Sequence, residues 1–175
     1  MQFTIHLRRC IFWGILESEE WMPSLLVVRI RGTVNIRYNV KKTLRLLKLP
    51  RRYSATIIPE NDYYVGMLKV AKDQIAWNIL DFETAKLLFA KRGKFIGNKA
   101  FDDSVAKAEG FESVDKMIGA IVDGQVNLSR FKTIKPYFSL APPKGGFKRS
   151  TKKHYNAKGV LGKNKELMAL VSRMI

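Results

Sequence analysis

The 175-residue sequence predicts an α+β fold with a strand-helix-strand-helix-strand core, whose small sheet is covered by helices on one face. Three observations support this prediction. Apolar runs of strand length alternate with segments of helical periodicity between residues 22 and 82. From residue 83 to residue 131, the spacing of apolar residues is mainly helical. With 46% hydrophobic residues, the chain can bury the core of one compact domain.

Three strands are predicted within the core, residues 22–82. They are expected at residues 25–31, 53–58 and 75–80, where apolar, β-branched and aromatic side chains predominate. Pro59 closes the second strand because proline cannot donate a ladder hydrogen bond.

Two helices are predicted between these strands. Asn39 can cap the first helix, which extends to about Lys48, and Pro50 prevents its continuation. Asn61 or Asp62 can cap the second. A sheet of this size with two helices on one face is a minimal α+β unit.

A helical insertion is predicted over residues 83–131. Its helices are expected, in order, at residues 83–92, at 103–109, and from Ser113 to Asp123-Gly124. Asp81 can cap the first of them, and Gly93 stands where a helix commonly ends.

Residues 132–175 are predicted to add an edge strand, a basic loop and a C-terminal helix. Ile134–Leu140 has the composition of a strand, but Pro136 restricts it to the edge of the sheet. The glycine-rich stretch Pro142–Gly162 is expected to be irregular in the free protein. Helical spacing of apolar residues returns at residues 164–174.

Residues 1–21 do not continue this pattern and are interpreted as an appendage outside the fold. The apolar stretch Cys10–Leu16 is too short to span a bilayer. Glu17–Glu20 stands where a signal peptide would need small residues before its cleavage site. Two explanations stay open: an over-long start with Met22 as the true initiator, or a lineage-specific extension.

The distribution of charge is the strongest functional signal. The formal net charge is +17, and the pI is about 10.1. The first basic block, residues 29–52, holds nine Lys or Arg and no Asp or Glu, and the second basic block, residues 144–165, holds eight and none. A folded segment without acidic counter-charges repels itself, and a polyanion removes that repulsion best. The charge therefore favours nucleic acid as the partner.

No catalytic, metal or cofactor site is predicted. The sequence has neither a P-loop nor a Gly-x-Ser-x-Gly motif, and His6 and His154 lack metal-ligand spacing. The single cysteine, Cys10, excludes an internal disulfide and suits a reducing cytoplasm. Acid pairs stand at predicted helix starts, where capping explains them: Glu60 and Asp62, Asp81 and Glu83, Asp102 and Asp103. A magnesium-dependent nuclease that uses such acids, and a free-standing RNA-binding module, stay as alternatives.

Several separated blocks resemble one ribosomal protein family, the large-subunit family numbered thirty in the universal scheme and seven in the older eukaryotic one. The matching blocks, in order, are Leu26–Thr33, Val40–Leu49, Gly66-Met67, Val70–Trp77 and Leu87–Gly93. The continuation past the third strand, through the helical insertion and a basic Pro142-Pro143 segment, resembles the archaeal branch. Residues 78–80 depart from the turn expected in this family after Trp77.

The resemblance implies a structural constituent of the large ribosomal subunit with no enzymatic activity and no cofactor. It implies binding to large-subunit rRNA near the 5S rRNA, contact with neighbouring ribosomal proteins, and no membrane partner. It also implies a cytoplasmic protein that is monomeric within the ribosome.

The resemblance further implies that the loop between the first strand and first helix contacts RNA. There, Gly32 allows close approach of the backbone to a phosphate, and Arg31 and Arg37 can bind phosphate oxygens through two N–H groups each. The candidate contacts in and beside the first basic block are Arg29, Arg31, Gly32, Thr33, Arg37, Tyr38, Lys41, Lys42, Arg45, Arg51 and Arg52. An ordinary solvated helix face is the alternative for the lysines.

Two further patches are weaker candidates. The first comprises Lys91, Arg92, Lys94 and Lys99, around a turn whose Phe95 can either stack on a base or pin the loop to the core. The second comprises Lys144, Phe147, Lys148, Arg149, Lys152, Lys153, Tyr155 and Lys158. There, aromatic rings can stack on bases while cations bind the RNA backbone. A tail that is disordered without RNA and orders on the ribosome is the expectation for this second patch.

Overall fold

Across residues 22–94, 111, 113–131 and 133–175, which the computed structural model describes, the chain forms one six-stranded sheet with helices on both faces. The strands are β1 (Ser24–Arg29), β2 (Ser54–Pro59), β3 (Ile75–Ile79), β4 (Phe138–Ser139), β5 (Ser150–His154) and β6 (Gly159–Lys163). The helices are α1 (Tyr38–Leu46), α2 (Asp62–Ala71), α3 (Phe82–Arg92), α4 (Val114–Val122) and α5 (Leu167–Ser172), with 3-10 turns at Leu128–Arg130 and Tyr155–Ala157.

The sheet has the strand order β4-β2-β1-β3-β6-β5. Strand β1 is antiparallel to both of its neighbours, so that Val27 lies opposite Thr56 on β2 and Trp77 on β3. Strand β6 extends the sheet by pairing in parallel with β3, and β5 pairs in parallel with β6 through an irregular register. The α+β fold class and the order of the five core elements are therefore confirmed.

Strand β1 carries apolar side chains towards both faces of the sheet. Leu25 and Val27 pack with α1 and α2, while Leu26 and Val28 pack with α3, α4 and α5. A continuous apolar strand, rather than an alternating one, is typical of burial on both faces. The expectation of helices on one face is correct for α1 and α2, but the sheet as a whole is covered on both faces.

Most of the predicted helix caps are not formed. Asn39 lies inside α1, and the side chains of Asn61 and Asp81 make no capping hydrogen bond although they precede α2 and α3. The prediction for α4 is confirmed, because Ser113 Oγ accepts a hydrogen bond from the backbone N–H of Lys116 at 3.4 Å. The helix expected at residues 103–109 lies outside the described residues.

The prediction that Pro142–Gly162 is irregular is wrong. This stretch contains β5 and most of β6, and Val160 and Leu161 are buried in the core. The free edge of β3 supplies backbone partners, with Ala76 opposite Gly162. A few apolar residues therefore order a segment whose local composition is dominated by glycine and lysine.

The remaining C-terminal elements are shorter than predicted. Strand β4 is an edge strand, as expected from Pro136, but only Phe138–Ser139 pairs with β2. Helix α5 begins at Leu167 because Asn164 forms a turn before it, donating from Nδ2 to the carbonyl of Val160 and accepting from the N–H of Glu166. No helix among the described residues is long and apolar enough to cross a membrane.

Arg29, at the end of β1, holds the first basic block in place from inside the protein. It is 2% exposed. Its Nη1 donates to the carbonyl oxygens of Leu49 at 2.8 Å and Pro50 at 3.0 Å, and its Nε donates to that of Arg31 at 3.0 Å. Burial lowers the pKa of the Arg29 guanidinium through desolvation. These bonds join the two ends of the segment that carries α1.

Replacing Arg29 with Met is expected to destabilise the fold by about 1–3 kcal/mol, because buried carbonyl oxygens lose their donor. Arg31→Met removes the same group from an exposed position and should change stability by less than about 0.5 kcal/mol. Urea unfolding followed by circular dichroism measures both effects. Equal midpoints for Arg29→Met and the unsubstituted protein would contradict the structural role of Arg29.

Gly159 is expected to be essential for the contact between β5 and β6, because a Cβ built there would lie 1.9 Å from the carbonyl oxygen of Lys153. Gly159→Ala should cost about 1–3 kcal/mol and expose residues 144–163 to trypsin. Gly66→Ala is the control, since its Cβ would meet nothing within 4 Å. Equal trypsin resistance of the two variants would show that the C-terminal strands do not need this close approach.

Candidate nucleic-acid interface

The two basic blocks meet at one end of the sheet. Because β1 is antiparallel to β2 and β3, the end of β1 lies beside the beginnings of the other two strands. The end of β4 joins them, since Ser54 pairs with Ser139. This end of the sheet, named here the basic end, is formed by the loops of residues 30–37, 47–53, 72–74 and 140–149.

Residues beside the first basic block connect it to the second across more than eighty positions of sequence. The rings of Tyr53 and Phe147 stack with centroids 6.2 Å apart, and the N–H of Leu140 donates to the carbonyl of Tyr53 at 2.8 Å. On the other side, His154 Nε2 lies 2.9 Å from Asp73 Oδ1, and Arg31 Nη1 donates to the carbonyl oxygen of Asp73 at 3.4 Å. The basic end is therefore one continuous surface.

The loop before α1 presents most of its predicted RNA contacts to solvent. Arg31, Thr33 and Arg37 are exposed, and the side chain of Tyr38 is 77% exposed. Gly32 is half-buried, and the positive φ of this loop falls on Asn35 at 55° rather than on the glycine. The permissive backbone of Gly32 is therefore not used for a left-handed turn.

Helix α1 separates its charged and apolar faces as the sequence predicted. Lys41, Lys42 and Arg45 are exposed, whereas Leu44 is buried against the sheet. This helix has no acidic residue in its first turn. Within the part of the chain that the structure describes, a row of cations without an acidic partner thus extends from the loop along the helix.

Two of the predicted contact residues have structural partners instead. Arg29 is buried, which does not fit the predicted RNA contact. Arg92 is half-buried and donates from Nη2 to the backbone oxygen of Ile175 at 2.9 Å. Arg52 is exposed, although its Nε donates to the carbonyl of Ile30 at 3.3 Å. We assign Arg29 to support of the fold, and the RNA contact of Arg92 stays a prediction.

The second basic block exposes its lysines, whereas its aromatic rings contact other side chains of the protein. The exposed cations are Lys144, Lys148, Lys152, Lys153 and Lys158. Phe147 is half-buried and packs against the core and Tyr53. The guanidinium of Arg149 lies 4.9 Å from the ring centre of Tyr155 and pairs with Glu166 Oε1 at 2.5 Å.

The patch at the end of α3 is only partly described. Lys91 and Lys94 are exposed, as is Arg51 of the first basic block. Lys99 and Phe95 lie outside the described residues. The described part of this patch therefore consists of two exposed lysines and the half-buried Arg92.

Four acids lie at the opposite end of the sheet. Glu60 and Asp62 follow β2, and Asp81 and Glu83 follow β3. The beginning of β1 separates the two pairs, because the N–H of Glu60 donates to Pro23 O and that of Leu80 to Ser24 O. Asp102 and Asp103 are not described. Among the residues that are described, no three of the His, Cys, Asp and Glu side chains lie close enough together to hold a metal ion.

The sequence interpretation missed three cations around Trp77. Lys72 directly follows α2. Lys163 is the last residue of β6 and lies opposite Trp77, and Lys165 lies two residues beyond the strand. Lys163 and Lys165 belong to the second basic block, so their acid-free context was the available signal.

The comparison with known proteins identifies the family. The family model described as ribosomal protein L30p/L7e matches residues 25–75. The large ribosomal subunit protein uL30 of Nitrosopumilus maritimus is 43% identical over 152 residues, which cover 87% of this chain and 98% of that protein. The uL30 of Cenarchaeum symbiosum is 40% identical with the same coverage, and that of Korarchaeum cryptofilum is 39% identical over 160 residues, 90% of this chain and 99% of that protein.

These similarities extend well beyond the matched core and agree with the α+β sheet and the family resemblance of the sequence blocks. The relatives are named as ribosomal proteins rather than as enzymes, which agrees with the prediction of no catalytic role. The chain belongs to the ribosomal protein L30p/L7e (uL30) family, in its archaeal form.

Proposed function

We propose that this structural ribosomal protein binds large-subunit rRNA through its basic end. The observation that carries the proposal is the meeting of two acid-free segments, residues 29–52 and 144–165, on one surface. Among the described residues beside this surface, Glu166 forms an ion pair with Arg149, and Asp73 contacts His154. RNA phosphates supply the counter-charges that the remaining cations lack.

The loop before α1 makes the most specific contacts in this proposal. Arg31 and Arg37 bind phosphate oxygens, since an exposed guanidinium can donate two parallel hydrogen bonds. The exposed ring of Tyr38 stacks on an unpaired base. Phosphate contacts fix the orientation of the protein, and the base contact adds selectivity.

The lysines of both blocks provide the sequence-independent part of the affinity. The proposed contacts are Arg31, Gly32, Thr33, Arg37, Tyr38, Lys41, Lys42, Arg45, Arg51, Arg52, Lys91, Lys94, Lys144, Lys148, Arg149, Lys152, Lys153, Tyr155 and Lys158. Arg29 holds the loop before α1, and Phe147 packs against Tyr53. Because β5 and β6 already belong to the sheet, the second block is presented in a folded form and costs less ordering entropy on binding.

The assembly context follows from the family. We propose that the chain is present as one copy in the cytoplasmic large subunit, near the 5S rRNA and beside other ribosomal proteins. The relatives named as large ribosomal subunit proteins uL30 support its place in the large subunit.

Changing Arg31 and Arg37 together to Ala is expected to weaken rRNA binding and to make the negative slope of log K against log salt shallower, by about 0.9 for each phosphate that the variant no longer binds. The control changes Lys86 and Lys116 to Ala, which removes the same charge from α3 and α4, where Lys86 pairs with Asp115 at 3.0 Å. Filter binding over a salt series measures both slopes. Equal losses in the two double variants would rule out a localised interface at the basic end.

A ribosomal protein should sediment with the large subunit in near-stoichiometric amount. Quantitative mass spectrometry across a sucrose gradient of cell extract measures this ratio, with other large-subunit proteins as the reference. A chain found mainly in the light fractions would instead support a free-standing RNA-binding module.

A further inference from the structure

We propose that a groove beside α2, on the part of the sheet that α1 and α2 leave open, binds an unpaired nucleotide of RNA. The groove has a volume of about 410 Å³. Trp77 and Leu161 form its apolar part, and Lys72, Lys163 and Lys165 line its sides. This inference rests on the proposed function, because it takes RNA as the partner, but it assigns a separate site.

The groove arises from the way β6 extends the sheet. Lys163 lies beside Trp77 in the parallel register, and the N–H of Asn164 donates to the carbonyl of Trp77 at 3.0 Å. Gly162 has a φ of +83° and no side chain, so nothing rises from this position into the groove. Trp77 packs against the core formed with α1 and α2 but is only partly buried.

The chemistry of the lining suits a nucleotide. A partly exposed indole offers a flat surface for base stacking, and exposed lysines beside it can bind the flanking phosphates. The ring of Tyr155 also lines the groove and carries Arg149 at 4.9 Å from its centre. Beside the groove, Asp73 contacts His154 at 2.9 Å and Glu166 pairs with Arg149. Among the described residues, those that line the groove combine aromatic and cationic groups and include no Asp or Glu.

The position of the groove favours RNA over an acidic peptide. Asp73 contacts both His154, which lines the groove, and Arg31 of the basic end, so the two surfaces adjoin. A strand bound at the basic end can thus continue into the groove. Because Trp77 is recessed beside α2, a base must leave its helix to reach the indole, and the volume suits one nucleotide rather than a duplex.

Fluorescence of Trp77 tests the proposal directly. The sequence has three tryptophans, so Trp13→Phe with Trp21→Phe leaves Trp77 as the sole emitter in the full chain. A single-stranded RNA 12-mer and large-subunit rRNA should both quench this emission and protect it from acrylamide. The same 12-mer in a duplex should quench it less. Quenching by a 12-mer of oligoglutamate but not by RNA would overturn the proposal in favour of an acidic peptide.

Charge-neutral variants provide the second measurement. Lys163→Gln with Lys165→Gln should make the negative slope of log K against log salt for the 12-mer shallower, by about 0.7 for each phosphate left unbound. Lys86→Gln with Lys116→Gln should leave this slope unchanged. Trp77→Leu should weaken binding roughly tenfold, as removal of one stacked base does. If rRNA binding depends on salt but changes neither the Trp77 emission nor the salt slope of the Lys163/Lys165 variant, the groove is not an RNA site. The proposal for the basic end would then still stand. Absence of rRNA binding in the unsubstituted protein would remove both.

Discussion

Burial of β1 on both faces positions every other element of the described fold. Its alternate side chains reach two separate cores, so α1 and α2 must lie on one side and α3, α4 and α5 on the other. Burying an apolar side chain of this size contributes about 1.5–3 kcal/mol, and β1 supplies four such side chains. Because β2 and β3 both pair with β1, their ends and the loops that follow them are brought to fixed places.

The same arrangement separates the charges of the molecule. Antiparallel pairing of β1 with β2 and β3 places the cationic loops at one end of the sheet and the acids that follow β2 and β3 at the other. Attraction to a polyanion is then directional, because one end is attracted and the other repelled. Arg29 contributes without touching the partner, since its buried guanidinium holds the loop that presents Arg31 and Arg37.

Exposure divides the predicted contact residues into two groups that sequence could not separate. Arg29 and Arg31 are two positions apart in the same acid-free block, yet one is buried and the other is exposed. The difference arises because Arg29 is the last residue of β1 and donates to the carbonyl oxygens of Leu49 and Pro50, about twenty residues away, whereas Arg31 lies beyond the strand. Phe147 is a similar case, because its partner Tyr53 lies in a distant part of the chain.

Local periodicity and composition suffice to predict the fold class, the order of the core elements and the family. They also suffice to favour nucleic acid as the partner. Each of these predictions depends only on residues that are close together in the sequence. Three features need the folded protein: the strands within Pro142–Gly162, the single surface shared by the two basic blocks, and the position of Trp77 beside Lys163. Each of these depends on backbone pairing or packing between distant segments. These contacts form because β6 pairs with the open edge of β3 and because α3, α4 and α5 pack on the second face of β1. No local sequence pattern specifies which distant segment will do so.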